Sequence, residues 1–331
     1  MRLLRWLLIV LLLAAGGGAL WAWRWIDQPL PLAAATVEVS IEPGATPREV
    51  ANAWARAGVL VPPRVLYEWF RWSGEARRIR AGSYVVGPEV TPRQLLAKMV
   101  QGEEFFERVR LIEGWTLRQF RAELARAPHL KPASAGMTDA QLMAVLGAGS
   151  TAAEGRFFPD TYMYSRGVSD LTVLKRAHET MQRQLNAAWE ARVDGLPLKS
   201  ADEALILASI VEKETGKPSD RAQIAGVFSN RLRVGMPLQT DPSVIYGLGE
   251  SFDGNLRKRD LLTDGPYNTY TRAGLPPTPI AMPGLASIRA AVNPDRTKAL
   301  YFVARGDGSS VFSESLVEHN RAVNLYQRGG R

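Results

Sequence analysis

The chain contains no cysteine. That absence excludes a disulfide framework, a thiolate nucleophile and any zinc or iron–sulfur site held by sulfur, and it leaves the compartment open. Histidine is nearly as scarce: His129, His178 and His319 are the three present in 331 residues. They are too far apart in sequence for an H-E-x-x-H pair, so neither a metal nor a cofactor is expected. There is no G-x-S-x-G elbow and no G-x-x-x-x-G-K-[ST] loop, so serine-hydrolase and P-loop nucleotide chemistry lack their sequence basis. The formal net charge is +8, yet apart from Arg77, Arg78 and Arg80 the basic residues are spread along the chain. That small group reads as a solvated face, and no nucleic-acid partner is expected.

Charge is also missing from the N-terminal stretch Trp6 to Trp23, WLLIVLLLAAGGGALWAW. Arg2 and Arg5 precede it, and Trp21, Trp23 and Trp25 mark its far end. Because about 20 apolar residues span a hydrocarbon core, and positive charge stays on the cytoplasmic side, residues 1–27 are expected to be a cytoplasmic tip and a transmembrane anchor. The chain would then be a single-pass protein of the inner (cytoplasmic) membrane with its body in the periplasm or extracytoplasmic space. A cleaved signal peptide, with Ala33 to Ala35 as small residues near the cut, is the alternative.

The remaining length suits about two domains. Val37, Val39 and Ile41 alternate as a half-buried strand does, and Thr46-Pro47-Arg48 then offers a capping threonine with proline at the first helical position. The device returns at Thr91-Pro92-Arg93 and again, after the strand-like Val109 to Ile112, at Thr116-Leu117-Arg118. These signals predict an α+β protein with a small module over 36–105 and a larger domain over 106–331. Further helices are expected at Asp139 to Leu146, Asp170 to Val193 and Ser219 to Leu232. Leu300 to Val303 and Ser310 to Ser313 make a hairpin around Gly306-Asp307-Gly308. Gly235 to Pro283 reads as loop-rich, polar and aromatic, which is the composition of a binding region on a rigid scaffold.

The strongest chemical signal is Ala201 to Thr215, ADEALILASIVEKET. A helix apolar on nearly every side is buried, so a glutamate pointing inward is functional or expensive. At roughly 100° per residue Glu212 and Glu214 lie about 200° apart, and one of them reads as a solvated charge. Glu214 continues the packed row Ala204, Leu207, Val211, whereas Glu212 shares its side with Ser209. Gly216 and Pro218 follow, so Glu214 falls in the last turn, at the negative end of the helix dipole. The dipole and apolar surroundings both disfavour the anion and raise the pKa, which suits a general acid. The alternative is a carboxylate that frays into water at a helix end.

Several blocks, in order, carry a resemblance: EGRFFPDTY from Glu154, LASIVEKET from Leu207, NRLRVGMPLQTDPSVIYG from Asn230, YNTYTRAGLPPTPIAMPG from Tyr267, and YFVARGDGSSVF from Tyr301 with His319-Asn320 after it. Together they resemble the endolytic murein transglycosylase family over nearly the whole chain. The resemblance implies a lyase that cuts nascent peptidoglycan strands between N-acetylmuramic acid and N-acetylglucosamine and leaves 1,6-anhydromuramoyl ends. It implies Glu214, the second glutamate of E-K-E-T, as the catalytic acid, a LysM-like role for the 36–105 module, a catalytic domain over 106–331, and peptidoglycan synthases as partners. Glu154, Gln239, Asp241, Tyr267, Asn268 and Thr269 are candidate glycan contacts, since amides, hydroxyls and aromatic faces suit sugars. Each has a plainer reading: Glu154 as a turn or cap carboxylate, Asp241 as the start of a turn, Tyr267 and Tyr270 as core aromatics. A hydrolytic muramidase, which needs a second carboxylate, and a non-catalytic wall-binding scaffold are the alternatives.

Overall fold

The computed structural model describes residues 6, 13, 16–18, 20–149 and 151–329. Among these no helix is long and apolar enough to cross a membrane. This corrects the expected transmembrane anchor over 1–27, together with the inner-membrane placement and the membrane contact that depended on it. Much of that apolar stretch, residues 1–5, 7–12, 14, 15 and 19, lies outside the described residues.

The chain divides into two compact units, one comprising residues 1–108 and 163–168, the other 109–162 and 169–331. In the first, strand β1 (Val37–Ile41) leads to helix α1 (Pro47–Ala57), α2 (Pro63–Trp72), strand β2 (Gly82–Val86) and α3 (Pro92–Gln101). β1 and β2 pair antiparallel, from Val37 opposite Val86 to Ile41 opposite Gly82. The threonine–proline signals act as expected: Thr46 and Thr91 cap α1 and α3 in capping boxes closed by Glu49 and Gln94 three residues on. Helix α2 has no counterpart in the strand–turn–helix reading of this region. It begins on a proline, makes no side-chain cap, and is held by Leu66 and Phe70 packing with Trp54, Tyr84, Leu95 and Met99 in one core. The Trp54 indole N–H, buried with that core, points at the Met99 sulfur at 3.2 Å.

Strands β3 (Phe106–Arg110) and β4 (Thr161–Ser165) are where the chain passes from one unit to the other. The second unit is mainly helical: α4 (Leu117–Arg126), α5 (Asp139–Val145), α6 (Asp170–Glu190), α7 (Ala201–Glu214), α8 (Pro218–Arg233), α9 (Asp241–Leu248), α10 (Lys258–Leu262), α11 (Leu285–Val292), the antiparallel hairpin β5 (Tyr301–Ala304) and β6 (Ser310–Ser313), and α12 (Leu316–Tyr326). The stretch read as loop-rich thus holds α9 and α10. Pro242 starts α9 as its second residue, where a missing N–H leaves no intrahelical bond unmade.

Helix α7 is the axis of this unit. Ala204, Leu205, Leu207, Ala208, Ile210 and Val211 are all fully buried, and α7 packs on α11, α8, α6 and α9. Even the hydroxyl it buries is satisfied, Ser209 donating to the Ile206 carbonyl at 2.7 Å and accepting the Ile280 N–H at 3.0 Å. An element fixed on so many sides delivers its last residue to a defined place.

Candidate active site

That last residue is Glu214. The chain leaves the helix at Thr215 in an extended conformation, so Glu214 belongs to the final turn, the negative end of the helix dipole. It is half-buried, and the loss of water around it pushes its pKa up to about 7. A hydrogen bond from Thr240 and the Arg231 cation act against this, and the negative charge of Asp241 acts with it. Among the described residues no lysine, arginine or histidine forms an ion pair with Glu214. Glu212 is not the solvated charge expected of it: it is half-buried and accepts the Gly284 N–H, at the start of α11, at 2.9 Å.

Thr240 is the N-cap residue of α9, yet its side chain makes no capping bond; its hydroxyl donates to Oε1 of Glu214. A buried polar cluster holds it there. The Thr240 N–H donates to the Thr269 hydroxyl at 3.0 Å, its carbonyl accepts the Ser243 hydroxyl at 2.9 Å, and the Ser243 and Thr269 hydroxyls meet at 2.9 Å. Asp241, the next residue, is exposed and accepts the Tyr270 hydroxyl at 2.5 Å. Burial and that bond to Asp241 push the Tyr270 phenol above its ordinary range, so it stays a donor at neutral pH.

The other sequence candidates divide by what their polar atoms do. Asn268 is buried, and its amide nitrogen donates to the carbonyls of Asp260, Leu261 and Thr263 at 3.2, 3.1 and 2.6 Å. Its amide oxygen accepts the Tyr270 N–H at 2.9 Å. Thr269 is spent on the Thr240 cluster. Both therefore support the loop that carries Tyr270. Gln239 is exposed, with a positive φ of 50° uncommon outside glycine, and its N–H donates to the Thr269 carbonyl at 3.0 Å. Beneath it the buried Arg231 donates to the carbonyls of Leu300 and Leu238 at 2.7 and 2.6 Å. A cation so placed ties the Leu238 and Leu300 segments together, and its charge acts on Glu214.

Glu154 stands in a second setting. Its carboxylate accepts the Leu117 N–H, at the start of α4, at 3.0 and 3.3 Å, and the Tyr246 hydroxyl at 3.2 Å. Burial outweighs these donors and its pKa rises to about 7. It lines a cavity of about 680 Å³ with Tyr246, Tyr267, Pro242 and Lys213. Tyr267 is half-buried, meets Tyr246 edge to face at 4.9 Å, and shares a 2.8 Å hydrogen bond with Thr278. Sequence reasoning passed over Thr240, Ser243, Arg231, Tyr246 and Lys213. Thr240 stood inside the quoted Q-T-D-P block, but a threonine ahead of a helix start reads as a cap, and nothing local announces that its hydroxyl turns elsewhere.

Glu214 at a helix end and Glu154 beside an aromatic cavity are each pushed up to about 7, and among the described residues no cluster of histidine, aspartate and glutamate could hold a metal ion. Against known proteins, the model of the YceG-like family matches residues 39–325. An endolytic murein transglycosylase of Bacillus subtilis is 42% identical over 175 residues, 52% of this chain and 48% of that protein. One from Streptococcus pneumoniae is 27% identical over an alignment covering 96% of this chain and 63% of that protein. The alignments thus take in about half to under two thirds of the length of these curated relatives. The crystal structure of a yceG-like protein from Listeria monocytogenes superposes with a TM-score of 0.56 at 29% identity, covering 86% of this chain and 98% of that one. With a family match that runs from β1 into α12, this chain belongs to the YceG-like family.

Proposed function

We propose that the protein is an endolytic lytic transglycosylase of peptidoglycan in which Glu214 is the acid and then the base. The observation that carries this reading is the Glu214 carboxyl itself: half-buried at a helix end, pushed up to about 7, and hydrogen-bonded by Thr240. An acid with such a pKa still holds its proton near neutrality and loses it without a large penalty, which are the two demands of general acid–base catalysis. Thr240 occupies Oε1, so the transferable proton belongs on Oε2. Glu214 gives this proton to the glycosidic oxygen as the bond from C1 of N-acetylmuramic acid breaks. The resulting carboxylate takes the proton of the same sugar's C6 hydroxyl as that oxygen bonds to C1. The product is a 1,6-anhydro ring, no water is consumed, and Glu214 ends protonated. The transition state carries positive charge on the sugar, and the anionic Asp241 is the side chain near enough to raise Glu214 that can also stabilise it. The relatives named as endolytic murein transglycosylases support the substrate class.

Asp241 also favours a second reading, hydrolysis, because it supplies the further carboxylate that a muramidase requires. Mass spectrometry of glycan strands digested by wild type and by Glu214→Gln decides. Anhydromuramoyl ends from wild type alone support the transglycosylase, reducing ends support hydrolysis, and equal cleavage by both proteins overturns the assignment of Glu214.

A further inference from the structure

The cavity that Glu154 lines contains a cation that no carboxylate among the described residues pairs. Three basic side chains line it, Arg118, Arg121 and Lys213. Arg118 is paired with Glu250 at 2.8 Å and Arg121 with Asp139 at 3.1 Å. Lys213 forms no ion pair among the described residues; its ammonium donates to the Gly114 carbonyl at 3.2 Å. An ammonium has three donors, so this contact fixes its position and leaves two for a ligand. Glu154 lines the same cavity but forms no ion pair with Lys213; its oxygens accept the Leu117 N–H and the Tyr246 hydroxyl.

A lysine in the last turn of a helix interacts favourably with the dipole, and that accounts for a cation at this position. It does not account for a carbonyl that holds the ammonium at a cavity whose walls include Tyr246, Tyr267 and Pro242, faces suited to a pyranose ring. The placement matters as well. Lys213 precedes Glu214 in α7, and Pro242 follows Asp241 in α9, so two walls of the cavity belong to the elements that carry Glu214 and its neighbour Asp241.

We propose that Lys213 is a specificity-determining residue that binds a carboxylate carried by the glycan in this cavity. The proposal rests on the glycan-cleaving reading above and adds the chemical group that is recognised. Muramic acid offers that group in two forms: the lactyl ether is a free acid in peptide-free strands and an amide in peptide-bearing ones, whose stem peptides carry carboxylates of their own.

The test uses the full chain carrying Glu214→Gln, with and without Lys213→Met, titrated calorimetrically with peptide-free strands, peptide-bearing strands, and a chitooligosaccharide that has no carboxylate. The affinity ratio of acidic to neutral glycan is expected to fall roughly fivefold with Lys213→Met, to fade as salt is added, and to be kept by Lys213→Arg. A fall for peptide-free strands assigns the contact to the lactyl acid; a fall confined to peptide-bearing strands assigns it to the stem. A ratio that Lys213→Met leaves unchanged for both overturns the proposal without touching the role of Glu214. Conversely, wild type that binds strands and does not cut them overturns the catalytic reading while the affinity ratio still answers for Lys213.

Discussion

The hydroxyl of Thr240 donates to Glu214 and not to the first turn of α9, the helix that Thr240 begins. A favourable cap, usually about 1 kcal/mol, has been forgone for a contact to a carboxyl 26 residues away in sequence. The Thr240–Ser243–Thr269 cluster holds that hydroxyl in place, so the fold itself orients the Glu214 carboxyl.

Thr240→Val keeps the shape and removes the donor. Because this bond favours the carboxylate, its loss raises the pKa of Glu214 further. Strand cleavage at neutral pH is expected to fall about 10- to 100-fold, the scale of one hydrogen bond to a charged group. The alkaline limb of the pH–kcat profile should move upward, and Thr240→Ser should restore most of the rate. A rate loss with the limb unmoved would mean that Thr240 acts on something other than the carboxyl.

Glu214→Gln tests the raised pKa through stability. In the folded chain Glu214 holds its proton up to about 7, against 4.5 ordinarily, so between these values the native state binds more protons than the unfolded one. Stability therefore falls as pH rises through that window, and the glutamine variant lacks this contribution. Urea denaturation should show the variant gaining on wild type from pH ~4.5 to pH ~8 by on the order of 1–3 kcal/mol. A pH-independent difference would show that burial does not hold the proton on Glu214.

What the sequence discloses about this fold and site is mostly local. Thr46, Thr91 and Thr116 were readable as caps from the repeated Thr-x-Arg device, and in the structure each closes a capping box with Glu49, Gln94 or Gln119 three residues later. Glu214 was readable because it continues a row of buried residues at helical spacing. Contacts made across the chain were not readable. Asp241-Pro242 has the composition of a turn and opens a helix, since proline is as much at home at a helix start. Asn268 looks like a sugar ligand, and its amide staples three carbonyls of its own loop. Glu212 was assigned to solvent by its angle from Glu214, yet Gly284 approaches that side of α7 and offers it an N–H.

Asn268→Asp is a one-atom test of that staple. The substitution replaces an amide N–H₂ by an oxygen facing three carbonyl oxygens, where it finds acceptors and no donor. Destabilisation of about 2–4 kcal/mol is expected at neutral pH, easing at acid pH where the carboxyl can be protonated and donate again. Amide exchange over residues 260–270 should report the loosening first. Exchange that is unchanged in this loop would show that backbone turns alone hold it.

Gly226 separates helix propensity from packing. It lies within α8, where alanine ordinarily gains about 1 kcal/mol over glycine. A Cβ here, however, would lie 2.7 Å from the Asp295 carbonyl oxygen and 2.8 Å from the Thr297 methyl carbon. One of these neighbours is backbone, and Asn230 donates to the Thr297 carbonyl at 2.8 Å, so the 295–297 segment cannot withdraw without losing a hydrogen bond. The steric term should therefore reverse the sign of the propensity term, and Gly226→Ala is expected to lower stability by about 1–3 kcal/mol. Because Arg231 on the same helix braces the Leu300 and Leu238 carbonyls, a shift of α8 would also reach the Gln239–Asp241 turn. Cleavage should then fall beyond what the unfolded fraction explains. If thermal denaturation shows the alanine variant to be more stable than wild type, α8 and the 295–297 segment are not in the close contact that excludes a side chain.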